Sequence, residues 1–260
     1  MKETQRLLEI MTRLRDPERG CPWDRQQTFK SIAPYTVEEA YEVADAIERD
    51  DLAALKEELG DLLLQVVYHA CMAEEAGLFR FEDVAAGIGD KLTARHPHVF
   101  ASAEITDAAQ QTRDWEAHKA VERAARSQSG VLEGVPVGLP ALTRAEKLQK
   151  RAARVGFDWP TLAPVFAKIH EELGELEREL AAGAAAARLE DELGDVLFAV
   201  ANLARKLQVD PEQALRGTNR KFERRFRHVE ARLAEQGKRP EQASLEEMDG
   251  YWDEAKASGL

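Results

Sequence analysis

Apolar residues recur along the chain at intervals of three and four, the spacing that gathers them on one face of an α-helix. Val37, Ala40, Tyr41, Ala44 and Ile47 form one such stripe. The pattern predicts helices near 3–15, 36–49, 52–76, 81–95, 107–126, 141–153, 163–182, 186–207, 211–236 and 245–257. Thr36, with Glu39 three residues on, has the arrangement of a capping box and is taken as a helix start. Pro211 suits another start, because its missing N–H costs nothing in a first turn. No run alternates as a strand does, so the expected class is all-α. Breaking residues are densest in SQSGVLEGVPVGLP, Ser127 to Pro140. This segment is read as a linker, with one module over 1–126 and a second over 141–260.

The two halves resemble each other. EEAYE (38–42) matches EELGE (171–175), and KEELGDLL (56–63) matches EDELGDVL (190–197). KLTARHPHV (91–99) matches KFERRFRHV (221–229), and DWEAHK (114–119) resembles YWDEAK (251–256). The same order in both halves indicates a duplicated module.

Each copy carries Glu-Glu-x-x-Glu on one predicted helix and Glu-x-x-Asp on the next: Glu38, Glu39, Glu42, Glu58 and Asp61, then Glu171, Glu172, Glu175, Glu192 and Asp195. Residues three apart share a helix face, so two such helices packed antiparallel bring four carboxylates together. Solvated, salt-bridged faces are the alternative. Against that, Asp61 and Asp195 are followed by LLLQVVY and VLFAVANL, which read as helices apolar on every side and therefore buried. Buried carboxylates cost several kcal/mol without compensation and repel one another; a divalent cation relieves both penalties. An all-oxygen donor set suits Mg²⁺, Mn²⁺ or Ca²⁺, and Mg²⁺ is favoured. Di-iron bundles use Glu-x-x-His, which neither motif supplies; His69 and His170 fall at the wrong spacing.

Carboxylate-bound Mg²⁺ commonly acts on phosphates. Arg220, Lys221, Arg224, Arg225 and Arg227 lie within eight residues of the second copy, and such groups bind phosphate. Pairing with Glu223 and Glu230 on a solvated face is the alternative. Trp252 is a candidate to stack on a base or else a core residue; Trp115 recurs in the first copy, and each Trp precedes a Lys by four residues, Lys119 and Lys256.

Composition narrows the field. Lys and Arg number 36 against 48 Asp and Glu, a formal net charge of −12, which disfavours nucleic acid and anionic membranes as partners. Hydrophobic residues are 44% of the chain, too many for a disordered one. Cys21 and Cys71 are the two cysteines, so a disulfide framework is not expected and a reducing compartment is. The first residues, MKETQRLLEIMTRLRD, lack the apolar stretch of a secretory signal. No apolar run approaches the roughly 20 residues of a membrane span. The expected location is the cytoplasm.

Glu-Glu-x-x-Glu, a helical spacer, Glu-x-x-Asp and a following Lys-x-x-x-Arg resemble the all-α MazG nucleoside triphosphate pyrophosphohydrolases. The tandem arrangement and the segment CPWDRQQTFKSIAPYTVEEAYE (21–42) strengthen the resemblance, which covers essentially the whole chain. It implies two helical-bundle modules, homodimerisation, and Mg²⁺-dependent hydrolysis of NTPs and dNTPs to monophosphate and pyrophosphate with broad base tolerance. It implies Glu172, Glu175, Glu192 and Asp195 as metal ligands, with Glu39, Glu42, Glu58 and Asp61 as a weaker second set. It implies Lys168, Arg188, Lys221, Arg224, Arg225 and Trp252 as nucleotide contacts. Glu171 or Glu172 is the candidate general base for a water attacking the α-phosphorus. Cys21 to Asp24 reads only as a tight turn anchored by Trp23.

The repeat ranks the second copy above the first. Lys168, Arg188, Arg224 and Arg227 fall opposite Tyr35, Ala54, Ala94 and Pro97, while Lys221 and Arg225 are matched by Lys91 and Arg95. Pro97 is expected to end a helix just after Arg95. Two other readings stay open: a non-catalytic nucleotide-sensing module on the same site, and a di-metal carboxylate oxidoreductase.

Overall fold

The structure is a computed structural model that describes residues 2–100 and 130–260. Among the described residues there are eleven α-helices, one 3-10 turn and no strand, so the chain is all-α. None of these helices is long and apolar enough to cross a membrane. The expected helix at 107–126, with Trp115 and Lys119, lies outside the described residues. The chain divides into two compact units, Met1–Val121 and Glu122–Leu260.

In the first unit α1 is Lys2–Leu14, α2 Pro22–Gln26, α3 Phe29–Glu48, α4 Leu52–Glu75, α5 Phe81–Arg95 and α6 Pro97–Phe100. As expected, α5 ends at Arg95, with His96 as its C-cap and Pro97 next. The three residues between α3 and α4 fold the two helices into a hairpin. Asp50 takes a left-handed conformation (φ 54°), which Asp tolerates better than most residues, and the Asp51 carboxylate caps α4 by accepting from the N–H groups of Ala53 and Ala54. Met11, Ile32, Val67, Tyr68 and Met72 form the core.

The helix expected to start at Thr36 starts seven residues earlier. Thr28 is the N-cap, its hydroxyl accepting from the Ser31 N–H while the Ser31 hydroxyl accepts from the Thr28 N–H. Thr36 therefore lies mid-helix, its hydroxyl returning to the Ile32 carbonyl and meeting His69 Nε2 at 3.1 Å. Pro34 is carried inside α3 at the loss of one backbone hydrogen bond. The reciprocal Thr28–Ser31 pair satisfies the N–H groups of both residues at the helix start, so the cap signal at Thr36 goes unused.

In the second unit α7 is Ala141–Arg154, α8 Ala163–Ala181, α9 Ala186–Lys206, α10 Pro211–Glu235 and α11 Leu245–Ala257, with the 3-10 turn at Pro240–Gln242. The α8–α9 hairpin repeats α3–α4, with Gly183 (φ 68°) where the first unit has Asp50; glycine adopts this conformation without a Cβ clash. Asp210 caps α10, and Pro211 opens it. Residues 130–140 form turns packed on this unit: Val135 is buried, and the Arg151 guanidinium donates to the carbonyls of Glu133 and Gly134.

The expectation that the helices after Asp61 and Asp195 are buried on every side is not met. α4 leaves Leu59, Leu63 and Val66 exposed, and α9 leaves Leu193, Leu197 (51% exposed), Phe198 and Val200 exposed. α9 buries only the face bearing Glu192, Val196, Ala199, Ala201 and Asn202. Among the described residues, the few helices of one unit do not surround α4 or α9, and a continuous apolar face is left over.

Candidate active site

The second unit's site grows from the α8–α9 hairpin. Glu172 lies on α8, Glu192 and Asp195 lie on α9, and one carboxylate oxygen of each falls within 4.8 Å of the others. Glu172 is 6% exposed and Glu192 2%; Asp195 is exposed. Glu175, one turn beyond Glu172, is half-buried and pairs with Arg178 at 3.1 Å. It stands outside the tight cluster of three.

Two cations face these acids. The Lys168 ammonium lies 2.8 Å from Glu171 and 2.7 Å from Glu172, and those hydrogen bonds raise its pKa well above the ordinary lysine value. Arg188 pairs with Glu192, with Glu179 at 3.2 Å and with Asp191 at 2.9 Å, and its hydrogen bond to Glu179, with the charge of Glu192, raises its pKa. Each cation sits one helical turn before the acid it pairs with. Glu192 Oε2 is nonetheless buried with no hydrogen-bond partner among the described residues. An unpartnered carboxylate oxygen is costly, and beside two further carboxylates it is where a hard divalent cation fits.

A cavity of about 670 Å³ opens beside the cluster, with Lys168, Glu172 and Asp195 among the residues that line it. Its remaining wall includes Gln149, Phe157, Trp159, Phe198 and Asn202. Asp158 binds Arg205 at 2.6 Å and Lys206 at 2.8 Å; burial works against its charge, but the two cations outweigh burial and hold the carboxyl below the usual range. A separate open depression involves Arg188, Asp191 and Asp195. Asp195 thus borders both.

The cations and Trp of α10 and α11 are placed elsewhere. Lys221, Arg224, Arg225 and Trp252 do not line the cavity. Arg225 donates to the Leu260 carbonyl at 2.7 Å and lies 5.7 Å over the Trp252 ring. Trp252 packs on Phe222, centroids 5.2 Å apart, and Phe222 stacks on Phe226. Lys221 and Arg224 are exposed. Among the described residues Arg227 pairs with Glu223, at 3.5 Å.

The first unit repeats the acids without the cations. Glu39, Glu58 and Asp61 converge within 4.8 Å. Burial, together with Asp61 and Glu42, pushes the Glu39 carboxyl up; burial, with Glu42 and Asp61, does the same to Glu58. Cys21–Asp24 departs from the expected Trp-anchored turn. Trp23 is 51% exposed and, among the described residues, stands edge-on to Tyr35, centroids 6.2 Å apart. The anchor is Asp24: its carbonyl accepts from Arg15 and from the Tyr68 hydroxyl, and its carboxylate accepts from Tyr68 at 3.0 Å.

Sequence reasoning missed the cavity wall. Phe157-Asp158-Trp159, aromatic residues bracketed by Gly156 and Pro160, was one available signal. Asn202 was another, a polar side chain inside the run VLFAVANLA.

Known proteins match along the whole chain. The model of the MazG nucleotide pyrophosphohydrolase domain matches twice, at residues 27–100 and 161–230. A nucleoside triphosphate pyrophosphohydrolase of Escherichia coli K12 is 52% identical over 257 residues, covering 98% of each chain. A nucleoside triphosphate pyrophosphohydrolase/pyrophosphatase MazG of Thermotoga maritima is 44% identical over 252 residues, covering 97% of this chain and 95% of that one. Both domain matches span an acid-bearing hairpin, and the chain belongs to the MazG nucleotide pyrophosphohydrolase family, carrying its domain twice.

Proposed function

We propose that the protein hydrolyses nucleoside triphosphates, ribo and deoxy, to the monophosphate and pyrophosphate. The observation that carries this reading is Glu172, Glu192 and Asp195 converging at the mouth of a cavity of nucleoside size, with Glu192 Oε2 buried and unpartnered. The near full-length similarity to a nucleoside triphosphate pyrophosphohydrolase supports it.

Glu172, Glu192 and Asp195, with Glu175 completing the set, would hold Mg²⁺, or Mn²⁺ in its place. The bound ion would supply charge neutralisation along the phosphates and a more acidic water. Lys168 and Arg188 flank the acids and would turn to the phosphates once cation binding releases their carboxylate partners. Water attacks the α-phosphorus, and the bond to the bridging oxygen of the pyrophosphate breaks. Glu171 or Glu172 takes the water's proton. Lys221, Arg224 and Arg225 would meet the leaving pyrophosphate, and Trp252 the nucleotide, where α10 approaches the acids of the same or a second copy.

The apolar faces left on α4 and α9 support a homodimer. Leu193, Leu197 and Val200 share one side of α9, and covering such a face gains roughly 25 cal/mol per Å². The same reading has the enzyme in the cytoplasm, where free Cys21 and Cys71 suit a reducing medium. A panel of NTPs and dNTPs, scored separately for pyrophosphate and phosphate with and without Mg²⁺, tests the reading. Pyrophosphate release that needs the metal is expected; phosphate release alone, or nucleotide binding without turnover, contradicts it.

A further inference from the structure

We infer that Phe157 and Trp159 stack on the nucleobase and that Asp158, between them, is the positioning residue that holds both rings at the cavity. This rests on the nucleotide reading above and adds the groups that grip the base.

Both rings line the cavity that Lys168, Glu172 and Asp195 also line. A nucleotide with its phosphates at those three residues extends into the space the rings border. Phe157 is 82% exposed and Trp159 40%, so neither ring is spent on the core. Apolar area left in water costs free energy, and a flat heterocycle laid on a ring covers it.

The turn that carries the rings is held from both sides. Gly156 takes a left-handed conformation (φ 89°) and ends α7 in a Schellman arrangement. Its N–H donates to the Ala153 carbonyl and the Phe157 N–H to the Ala152 carbonyl, each at 3.1 Å. Asp158 then bonds Arg205 at 2.6 Å and Lys206 at 2.8 Å, in the last turn of α9, and Lys206 also donates to the Trp159 carbonyl. Arg205 is fixed in turn by two bonds to Asn202 Oδ1, of 2.9 and 2.8 Å. A pinned turn presents its rings with no loop to order on binding, which lowers the cost of association. The first unit is built the same way before its own hairpin: Asp24 accepts from Tyr68 of α4, and Trp23 beside it is exposed.

Stacking reads no hydrogen-bonding edge. Every base has a π face, so such rings grip all of them and discriminate little. A triphosphate without a base gains nothing from them.

The experiment compares the four dNTPs with 2-deoxyribose 5-triphosphate, which carries the sugar and phosphates alone. Trp159→Ala is expected to raise KM for all four dNTPs about tenfold or more, with kcat within about threefold, and to leave KM for the base-free compound unchanged. Trp159→Phe, which keeps a ring, should restore most of the loss. Asp158→Asn, which weakens the bonds to Arg205 and Lys206, should raise KM for the dNTPs about threefold, again without effect on the base-free compound. Damage to the fold would weaken both kinds of compound alike. Phe157→Ala, at an exposed position, is expected to show the Trp159→Ala pattern and carries the test if that variant fails to fold by circular dichroism. A folded variant that leaves KM for dATP within about twofold of wild type, or one that weakens the base-free triphosphate as much as dATP, overturns the inference. Equilibrium dialysis of dAMP against 2-deoxyribose 5-phosphate reads the preference without turnover. If wild type releases no pyrophosphate yet Trp159→Ala erases a preference for dAMP, the pyrophosphohydrolase reading fails and the stacking reading stands.

Discussion

The two units carry the same three-carboxylate cluster in different surroundings. In the second unit Lys168 and Arg188 stand one turn before Glu172 and Glu192; in the first, Tyr35 and Ala54 occupy those positions, and burial first, then the neighbouring carboxylates, push the Glu39 and Glu58 carboxyls up. The cavity wall differs as well. Asn202 is replaced in the repeat by Tyr68, which is buried, bonded to Asp24 and covered by Arg15 at 5.5 Å. Arg15 is itself held by Glu75 through bonds of 2.7 and 2.6 Å. Residues that would meet substrate in one copy have become packing in the other. Duplication kept the acid scaffold, which the helix spacing dictates, and let the cations and the cavity diverge.

The largest expected effect comes from Glu192, the acid with one unpartnered oxygen. Glu192→Gln should lower kcat/KM for a dNTP by about 10³-fold or more, because it removes a charge from the three-acid cluster proposed to hold the cation and leaves Arg188 without its buried partner. Helix content by circular dichroism should stay near wild type. Lys168→Ala and Arg188→Ala come next: each loses a charge-assisted contact of about 1.5–3 kcal/mol, or roughly 10- to 100-fold in kcat/KM. Steady-state kinetics against one dNTP ranks them against Lys91→Ala, which should change little.

Smaller effects test the first unit as a packed structure. Glu75→Gln strands Arg15, whose side chain is 8% exposed, and should cost about 2 kcal/mol in urea unfolding at pH 7. The Arg15 hydrogen bond holds the Glu75 carboxyl below its usual range. Its contribution is therefore complete above the unfolded value of about 4.3 and is lost as pH falls through the lowered folded one, so wild type and variant should converge in acid. Smallest is Glu58→Gln. A carboxyl raised by burial and by like charges weakens the fold at neutral pH, and this cost vanishes once it is protonated. The substitution should raise Tm on the order of a degree without divalent cations, and Mg²⁺ should stabilise wild type more than the variant.

The helices and both acid clusters were legible in the sequence because they depend on spacing within one or two neighbouring helices. The start of α3 was not, since Thr28–Ser31 and Thr36–Glu39 offer competing caps and only the packed structure selects between them. The exposed faces of α4 and α9 were also hidden: an apolar run states that a surface wants cover, not what covers it. The cavity wall draws Gln149 from α7, Trp159 from the connection before α8 and Asn202 from α9. No periodicity links them, so their chemistry emerged only when the chain was folded.

The central claim is that equal acids do unequal work, and Mg²⁺-dependent pyrophosphate release by Asp195→Ala and Asp61→Ala against the same dNTP tests it most directly. The account predicts that Asp195→Ala loses essentially all turnover while Asp61→Ala stays within a few-fold of wild type; equal losses in the two variants, or full activity in Asp195→Ala, would contradict it.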